Sequence, residues 1–266
     1  MMKKNLSIIV ILILVAGAGF LIASNIFQSS GPVEKNTQNK TGKSGFKVNP
    51  ISHASVVIEW SGKVFYFDPV GKVKSFKKYG SPDIVFVTHS HPDHFNKKVL
   101  GSVVTSSTRL IVPKKVMNKL PDKFSGRVTV MSNGETTSRN GFKIKAMPMY
   151  NLPQSKDAYH VKGEGNGYLV EKDNRKVYIA GDTSGIEAMR NLKKVDLAFV
   201  PMNQPYTMGV EEAADAVLDF APKVVYPYHY RNKNGSLSNV KKFKKLVNKK
   251  DEQIKVKLRD WYPAIN

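Results

Sequence analysis

The feature that most restricts the fold of this chain is a junction near position 88, where the apolar run DIVFV (83–87) opens into THSHPDHF (88–95). A short run of valine, isoleucine and phenylalanine bounded by turn residues reads as a buried strand. Immediately after it, His89, His91, Asp93 and His94 fall within six residues, using three of the six histidines in the chain. Pro92 lacks the amide that a strand ladder needs and helps end the extended run. The fold must therefore hold a strand rigid to its tip and then release a tight turn that aims four donors at one place. Imidazole and carboxylate together suit zinc and similar divalent ions. Four ligands from one turn cannot close on one ion without strain, so others must arrive from distant segments.

The remaining histidines, His53, His160 and His229, each lie beside a strand-like run. His160 precedes GYLVE, His229 ends KVVYPYH, and Asp182 closes YIAGDT at a glycine turn. Strand-end residues that converge on one edge make a binuclear site plausible. There is no cysteine, which excludes disulfides, thiolate metal sites and cysteine nucleophiles.

From position 46 onward strand patterns are dense. SVVIEW and KVFYFDP flank Ser61-Gly62 as a hairpin, and RLIVP, RVTVM, FKIKAMPM, GYLVE, KVYIAGD, DLAFVP, KVVYPYH and IKVKL follow. Helical periodicity is expected at about 114–120, 186–193, 210–220 and 239–249. Early strands come as hairpins and later ones alternate with helices. This α+β pattern predicts two sheets with helices on their outer faces, in one domain over 46–266.

Ahead of that domain, two lysines precede an uninterrupted apolar run at 8–23 that extends weakly to Phe27. It exceeds the usual signal core of about 7–15 residues and approaches the roughly 20 needed to span a bilayer. The expectation is a membrane anchor over 1–27, with the catalytic body extracytoplasmic. The alternative is a signal cleaved near Ala16-Gly17-Ala18 and a secreted protein. Residues 28–45, polar and rich in glycine and serine, read as a linker.

The motifs HASVVIEW, FYFDP, THSHPDHF, GDTSGIEAM, PMNQPYTM and VVYPYHY resemble the L-ascorbate-6-phosphate-lactonase-like hydrolase branch of the metallo-β-lactamase superfamily, over about residues 46–262. The start and ligand order are also similar to those of N-acylphosphatidylethanolamine phospholipase D. The resemblance implies a four-layer αββα sandwich and two divalent ions, zinc first, with manganese or iron as alternatives. It assigns His89, His91 and His160 to one ion and Asp93, His94 and His229 to the other, with Asp182 bridging. Asp93 would also orient the attacking hydroxide or accept its proton. His53 is implied as a substrate contact or proton donor, whereas by itself it reads equally as a partly buried strand-start residue. Asp68 either braces a ligand histidine or is a turn aspartate before Pro69. Thr88 and Thr183 are supporting or turn hydroxyls, and Tyr206 and Tyr230 are pocket walls or core-edge tyrosines.

The formal net charge is +21, of which residues 1–45 carry +4 and the remainder +17. Such a balance favours anionic surroundings or substrates. In the basic run 240–250, Val240, Phe243, Leu246 and Val247 share one helical stripe, so the lysines form a solvated face over a packed one. The expected activity is hydrolysis of an anionic ester, phosphodiester or lactone, small or lipid-linked, through a metal-bridging hydroxide. A nucleic-acid phosphodiesterase and a non-catalytic metal sensor are the alternatives. Specific nucleic-acid binding is not expected, since only 46 residues separate Asp182 from His229.

Overall fold

The computed structural model describes residues 45–262. The expected anchor, 1–27, and all but the last residue of the expected linker lie outside the described residues. Among the described residues no helix is long and apolar enough to cross a membrane.

The chain builds two mixed sheets by the same route. In the first, β1 (Lys47–Ser52), β2 (Ser55–Trp60) and β3 (Lys63–Phe67) form an antiparallel meander. Ser61 and Gly62 both take positive φ, 49° and 73°, as the twist of a two-residue hairpin requires. Then β4 (Ile84–Phe86), β5 (Arg109–Val112) and β6 (Val128–Val130) add in parallel. Their crossovers carry α1 (Lys74–Lys77), α2 (Lys97–Val103), α3 (Lys114–Met117) and a 3₁₀ turn at Asp122–Arg127. In the second sheet β7 (Thr136–Arg139), β8 (Phe142–Met149), β9 (Gly165–Lys172) and β10 (Arg175–Ile179) are antiparallel. They are followed in parallel by β11 (Leu197–Pro201), β12 (Val224–Tyr228) and β13 (Lys255–Val256). Here the crossovers are α4 (Glu187–Arg190), α5 (Val210–Phe220) and α6 (Val240–Lys250).

Alternation along the strands sorts side chains into layers. In β2 and β3, Val56, Ile58, Phe65 and Phe67 join the core between the sheets, whereas Val57 and Tyr66 join the layer containing Phe76, Val99 and Leu100 from α1 and α2. The inner layer interlocks through aromatic edges, with Trp60 at 4.9 Å from Phe142 and Phe86 at 5.0 Å from Tyr168. On the outer side of the second sheet, α6 buries Phe243 and Val247 completely, each worth about 1.5–3 kcal/mol. Its lysines at 241, 242, 244, 245, 249 and 250 are exposed, so the packed-stripe reading of 240–250 holds. The result is the expected helix–sheet–sheet–helix order.

One expectation changes. The alternation of strands with helices is not confined to the later part, because the first sheet also ends in parallel crossovers. Of its helices, α3 falls within the expected 114–120, whereas α1 and α2 escape periodicity analysis because they run only four and seven residues, too short to display a helical repeat.

Candidate metal centre

The donors sit where strands end at one pole of the sandwich. After β4 the backbone is pinned by Val87 N–H to Ile111 O, 3.1 Å, and by Thr88 N–H to Asp68 Oδ1, 2.7 Å. A turn then closes as the amides of His94 and Phe95 donate to His91 O at 3.0 and 2.9 Å. Asn96 accepts from the amides of Lys98 and Val99, both 3.0 Å, and starts α2, satisfying helix amides that would otherwise lack partners. At the end of β10, Gly181 adopts φ 67°, and a Cβ there would lie 2.6 Å from Met149 Sδ. Only glycine makes that corner without strain, and it delivers Asp182 into the cleft. His229 follows β12, with its amide donating to His53 O at 3.2 Å.

Donor atoms gather into three overlapping groups: His89, His91 and His160; His89, His94 and Asp182; and Asp93, His94 and His229. In the first, His89 Nε2 and His91 Nδ1 are 3.0 Å apart. In the third, Asp93 Oδ2 lies 3.2 Å from His229 Nε2 and 3.8 Å from His94 Nε2. Between them, Asp182 Oδ2 is 3.4 Å from His94 Nε2, 3.5 Å from His160 Nε2 and 3.3 Å from His229 Nε2. Tetrahedral ligands about 2.0–2.1 Å from one ion are separated by roughly 3.4 Å, so these spacings fit metal ligation. The cleft side of His89, His91 and His160 is completed by Met149, Tyr159 and Glu164.

Three of the five ligand rings, His89, His94 and His160, are held from behind. Asp68, fully buried, accepts at Oδ2 from Thr88 Oγ1–H at 2.7 Å and from His94 Nδ1–H at 2.8 Å. Thr88 Oγ1 is also 3.0 Å from His89 Nδ1. Asn151 Oδ1 accepts from the His160 amide at 2.8 Å and lies 3.2 Å from its Nδ1. These partners direct Nε2 of His89, His94 and His160 towards the cleft, as outer partners of metal-bound histidines do.

The electrostatics call for a cation. Burial pushes the Asp182 carboxyl up, but His229 and His94 outweigh it and hold it well below the usual carboxylate range. Burial also raises Asp93, and the hydrogen bond from His229 with the charge of His94 reverses the sign. Burial lowers His160 to about 4 and His89 well below its ordinary value, leaving both neutral, the form that ligates. For His94 and His229 burial also pushes downward, but Asp182 together with Asp68 at His94, and together with Asp93 at His229, outweighs it, so both are raised. Protons on those two rings and a bound divalent ion are alternative ways of balancing the same carboxylates. His94 Nε2, His160 Nε2 and Asp182 Oδ1 are buried without a hydrogen-bond partner. Such atoms cost about 1–3 kcal/mol each, and a metal in the cleft would satisfy all three. The residues present fit the group.

All seven residues expected to ligate are thus brought together, with Asp182 between the two triads. His53 stands beside them, its ring edge-on to His229 at 5.8 Å and to Tyr262 at 5.1 Å. Asp68 is a brace and not merely a turn residue. Thr183 exchanges hydrogen bonds with the Tyr150 backbone and serves the fold. Tyr230 is a core-edge tyrosine, buried, donating to Arg259 O at 3.1 Å and accepting from Trp261 N–H at 3.3 Å. Tyr206 backs the cleft at one remove, its ring 4.8 Å from that of Tyr159. Asn151 was not singled out from sequence, because a lone loop asparagine nine residues from a ligand carries no spacing signal.

Comparison with known proteins agrees with this geometry. Residues 47–229 match the family model described as a beta-lactamase superfamily domain. A UPF0173 metal-dependent hydrolase of Pyrococcus abyssi is 31% identical over 224 residues, covering 79% of this chain and 96% of the relative. The chain belongs to this superfamily. Within it, the chain is a metal-dependent hydrolase of the UPF0173 family. A solved metal-dependent hydrolase of Parabacteroides distasonis is 36% identical, with a TM-score of 0.72, covering 82% of this chain and 94% of that one. A metallo hydrolase of Ignicoccus hospitalis shares the fold at 23% identity and a TM-score of 0.68, covering 81% and 95%. These relatives are hardly longer than the body described here, so a body of this kind folds without a preceding segment.

Proposed function

We propose that this hydrolase holds two divalent ions and cleaves an ester bond, phosphodiester or lactone, in an anionic substrate. The observation that carries the binuclear reading is the position of Asp182 Oδ2, within 3.5 Å of a histidine from each triad. His89, His91 and His160 would hold one ion, Asp93, His94 and His229 the other, and Asp182 both. When bound, such a pair supplies Lewis acidity and an activated water near neutral pH.

The chain itself contributes orientation and proton handling. The Asp93 side chain is 44% exposed towards the cleft while its Oδ2 is tied to His229, so its carboxylate can orient the attacking water and accept a proton. His53 is placed to hydrogen-bond a substrate oxygen from the His229 side. The supporting residues Thr88, Asp68 and Asn151 touch no substrate and hold the rings in register. The charge of +21 supports an anionic substrate, and the apolar run at 8–23 supports a membrane-tethered protein with an extracytoplasmic body. Zinc is the first choice of metal, with manganese or iron accepted by the same donor set.

The test is to load the protein with zinc or manganese and compare a chromogenic phosphodiester with a simple lactone, using Asp182→Asn as control. Turnover of either substrate that the variant loses supports the proposal. Full metal loading with no turnover of esters of either kind, across anionic and neutral examples, would overturn the ester assignment.

A further inference from the structure

Three loops at the carboxyl ends of β8, β11 and β12 form a lip beside the metal cluster: residues 150–162, 203–208 and 230–238. They are tied into one surface. Asn151 Nδ2 donates to Tyr206 O at 2.8 Å, the Gln204 amide to Asn232 Oδ1 at 2.8 Å, and the Lys233 amide to Gln204 O at 3.0 Å. On this lip stand Leu152, Tyr159 and Leu237, with 49%, 50% and 51% of their surface exposed. The fourth large exposed hydrophobic among the described residues, Val130, ends the edge strand β6 of the other sheet. Exposed Lys156, Lys162, Arg231 and Lys233 flank them, against Asp157 and, where the first loop meets β9, Glu164, which is already paired with Lys115. None of these four cations forms an ion pair among the described residues.

We propose that this lip docks on an anionic lipid bilayer, with Leu152, Tyr159 and Leu237 entering the headgroup region and the four cations meeting lipid phosphates. Half-exposed apolar side chains set among cations are the pattern of interfacial binding, where buried apolar area and attraction to anionic lipid act together. A rigid protein partner would instead call for a contiguous apolar centre within a polar rim. A soluble polyanion would leave the leucines without a role. The docking does not depend on the hydrolase reading, and its test needs no turnover.

The body alone, residues 45–266, would be sedimented in metal-free form with phosphatidylcholine vesicles, either pure or containing about one-third phosphatidylglycerol. Binding is expected only to the anionic vesicles. Leu152→Asp and Leu237→Asp should each weaken it roughly tenfold, and Lys156→Glu and Lys233→Glu about fivefold or more. Arg139→Glu and Lys193→Glu, exposed at the opposite ends of the strands, should change it by less than about twofold. All six positions are exposed, so the variants should melt with the wild type, which is checked by thermal scan. No binding to anionic vesicles would overturn the proposal. So would equal losses from both poles, which would mean attraction by net charge alone, or indifference to the leucine changes.

Discussion

Asp68→Asn tests whether the site depends on what lies behind its ligands. Asp68 sits at φ 44°, a left-handed conformation that asparagine adopts as readily as aspartate, so the backbone offers no confounding strain. Asparagine can still accept the Thr88 amide at Oδ1. At the other position an NH₂ group replaces Oδ2, which now accepts from Thr88 Oγ1–H at 2.7 Å and from His94 Nδ1–H at 2.8 Å. Two buried hydrogen bonds to a charged acceptor are lost, each worth about 1.5–3 kcal/mol. Relaxation will recover part of this, leaving a loss of about 3 kcal/mol. For a body of this size that lowers Tm by roughly 6–12 °C.

The effect on metal binding is separable from that loss. His94 loses the acceptor that fixes its tautomer, so affinity at the Asp93–His94–His229 triad should fall about 10–100-fold. The other triad should weaken less, because His89 reaches Asp68 only through Thr88 Oγ1. Thermal melting of the metal-free protein reads the first quantity. Competition with a chromophoric zinc chelator reads the second. Unchanged affinity at both triads, alongside the full loss of metal-free stability, would show that Asp68 is a structural turn residue and refute the bracing role.

Ligand variants should divide by triad. His91→Ala and His229→Ala are each expected to reduce zinc from two ions per chain to one, whereas Asp182→Asn weakens both, as elemental analysis after dialysis would show. Removing metal with a chelator should leave a folded protein of lower Tm. With free metal at about 100 times Kd, each ion adds about 2.7 kcal/mol, so a drop of roughly 5–10 °C per ion is expected by calorimetry. Gly181→Ala forces a side chain into a positive-φ corner against Met149. A cost of about 1–3 kcal/mol should follow, visible as a lower denaturant midpoint.

How far the sequence reveals the fold depends on how much pattern each segment has room to display. FKIKAMPM alternates buried and exposed residues from Phe142 to Ala146 and matches β8 residue for residue. The expected helix at 210–220 is α5 without adjustment. By contrast, β1 reads KVNPIS, partly buried along most of its length, and carries Pro50, which belongs on an edge strand and weakens the local signal. The four-residue α1 has a single turn, so only its packing on the first sheet identifies it.

The site follows a different logic. Donor types imposed by a metal made the candidates legible, six of the seven follow strand ends at a common pole, and the family resemblance selected the set, including His160 in the loop between antiparallel β8 and β9. Both sheets change from antiparallel to parallel pairing, at β3–β4 and at β10–β11. Beyond each change, every crossover leaves from the same pole, and loops at the carboxyl ends of such strands are where α/β folds place their ligands. That is why the donors stand directly after runs such as DIVFV, YIA and VVYPY. Asn151 obeys no such rule. Its role comes from a loop that returns nine residues later to place His160 against it, a meeting made by the folded path alone. The same path places Leu152 and Tyr159 at the mouth, so the bracing of the metal cluster and the lip proposed for the membrane are two faces of one loop. Proline at position 151 would remove the amide that donates to His160 O at 2.9 Å and should disturb both faces together. Alanine there would keep that amide and should loosen His160, with zinc binding weakened at the His89–His91–His160 triad.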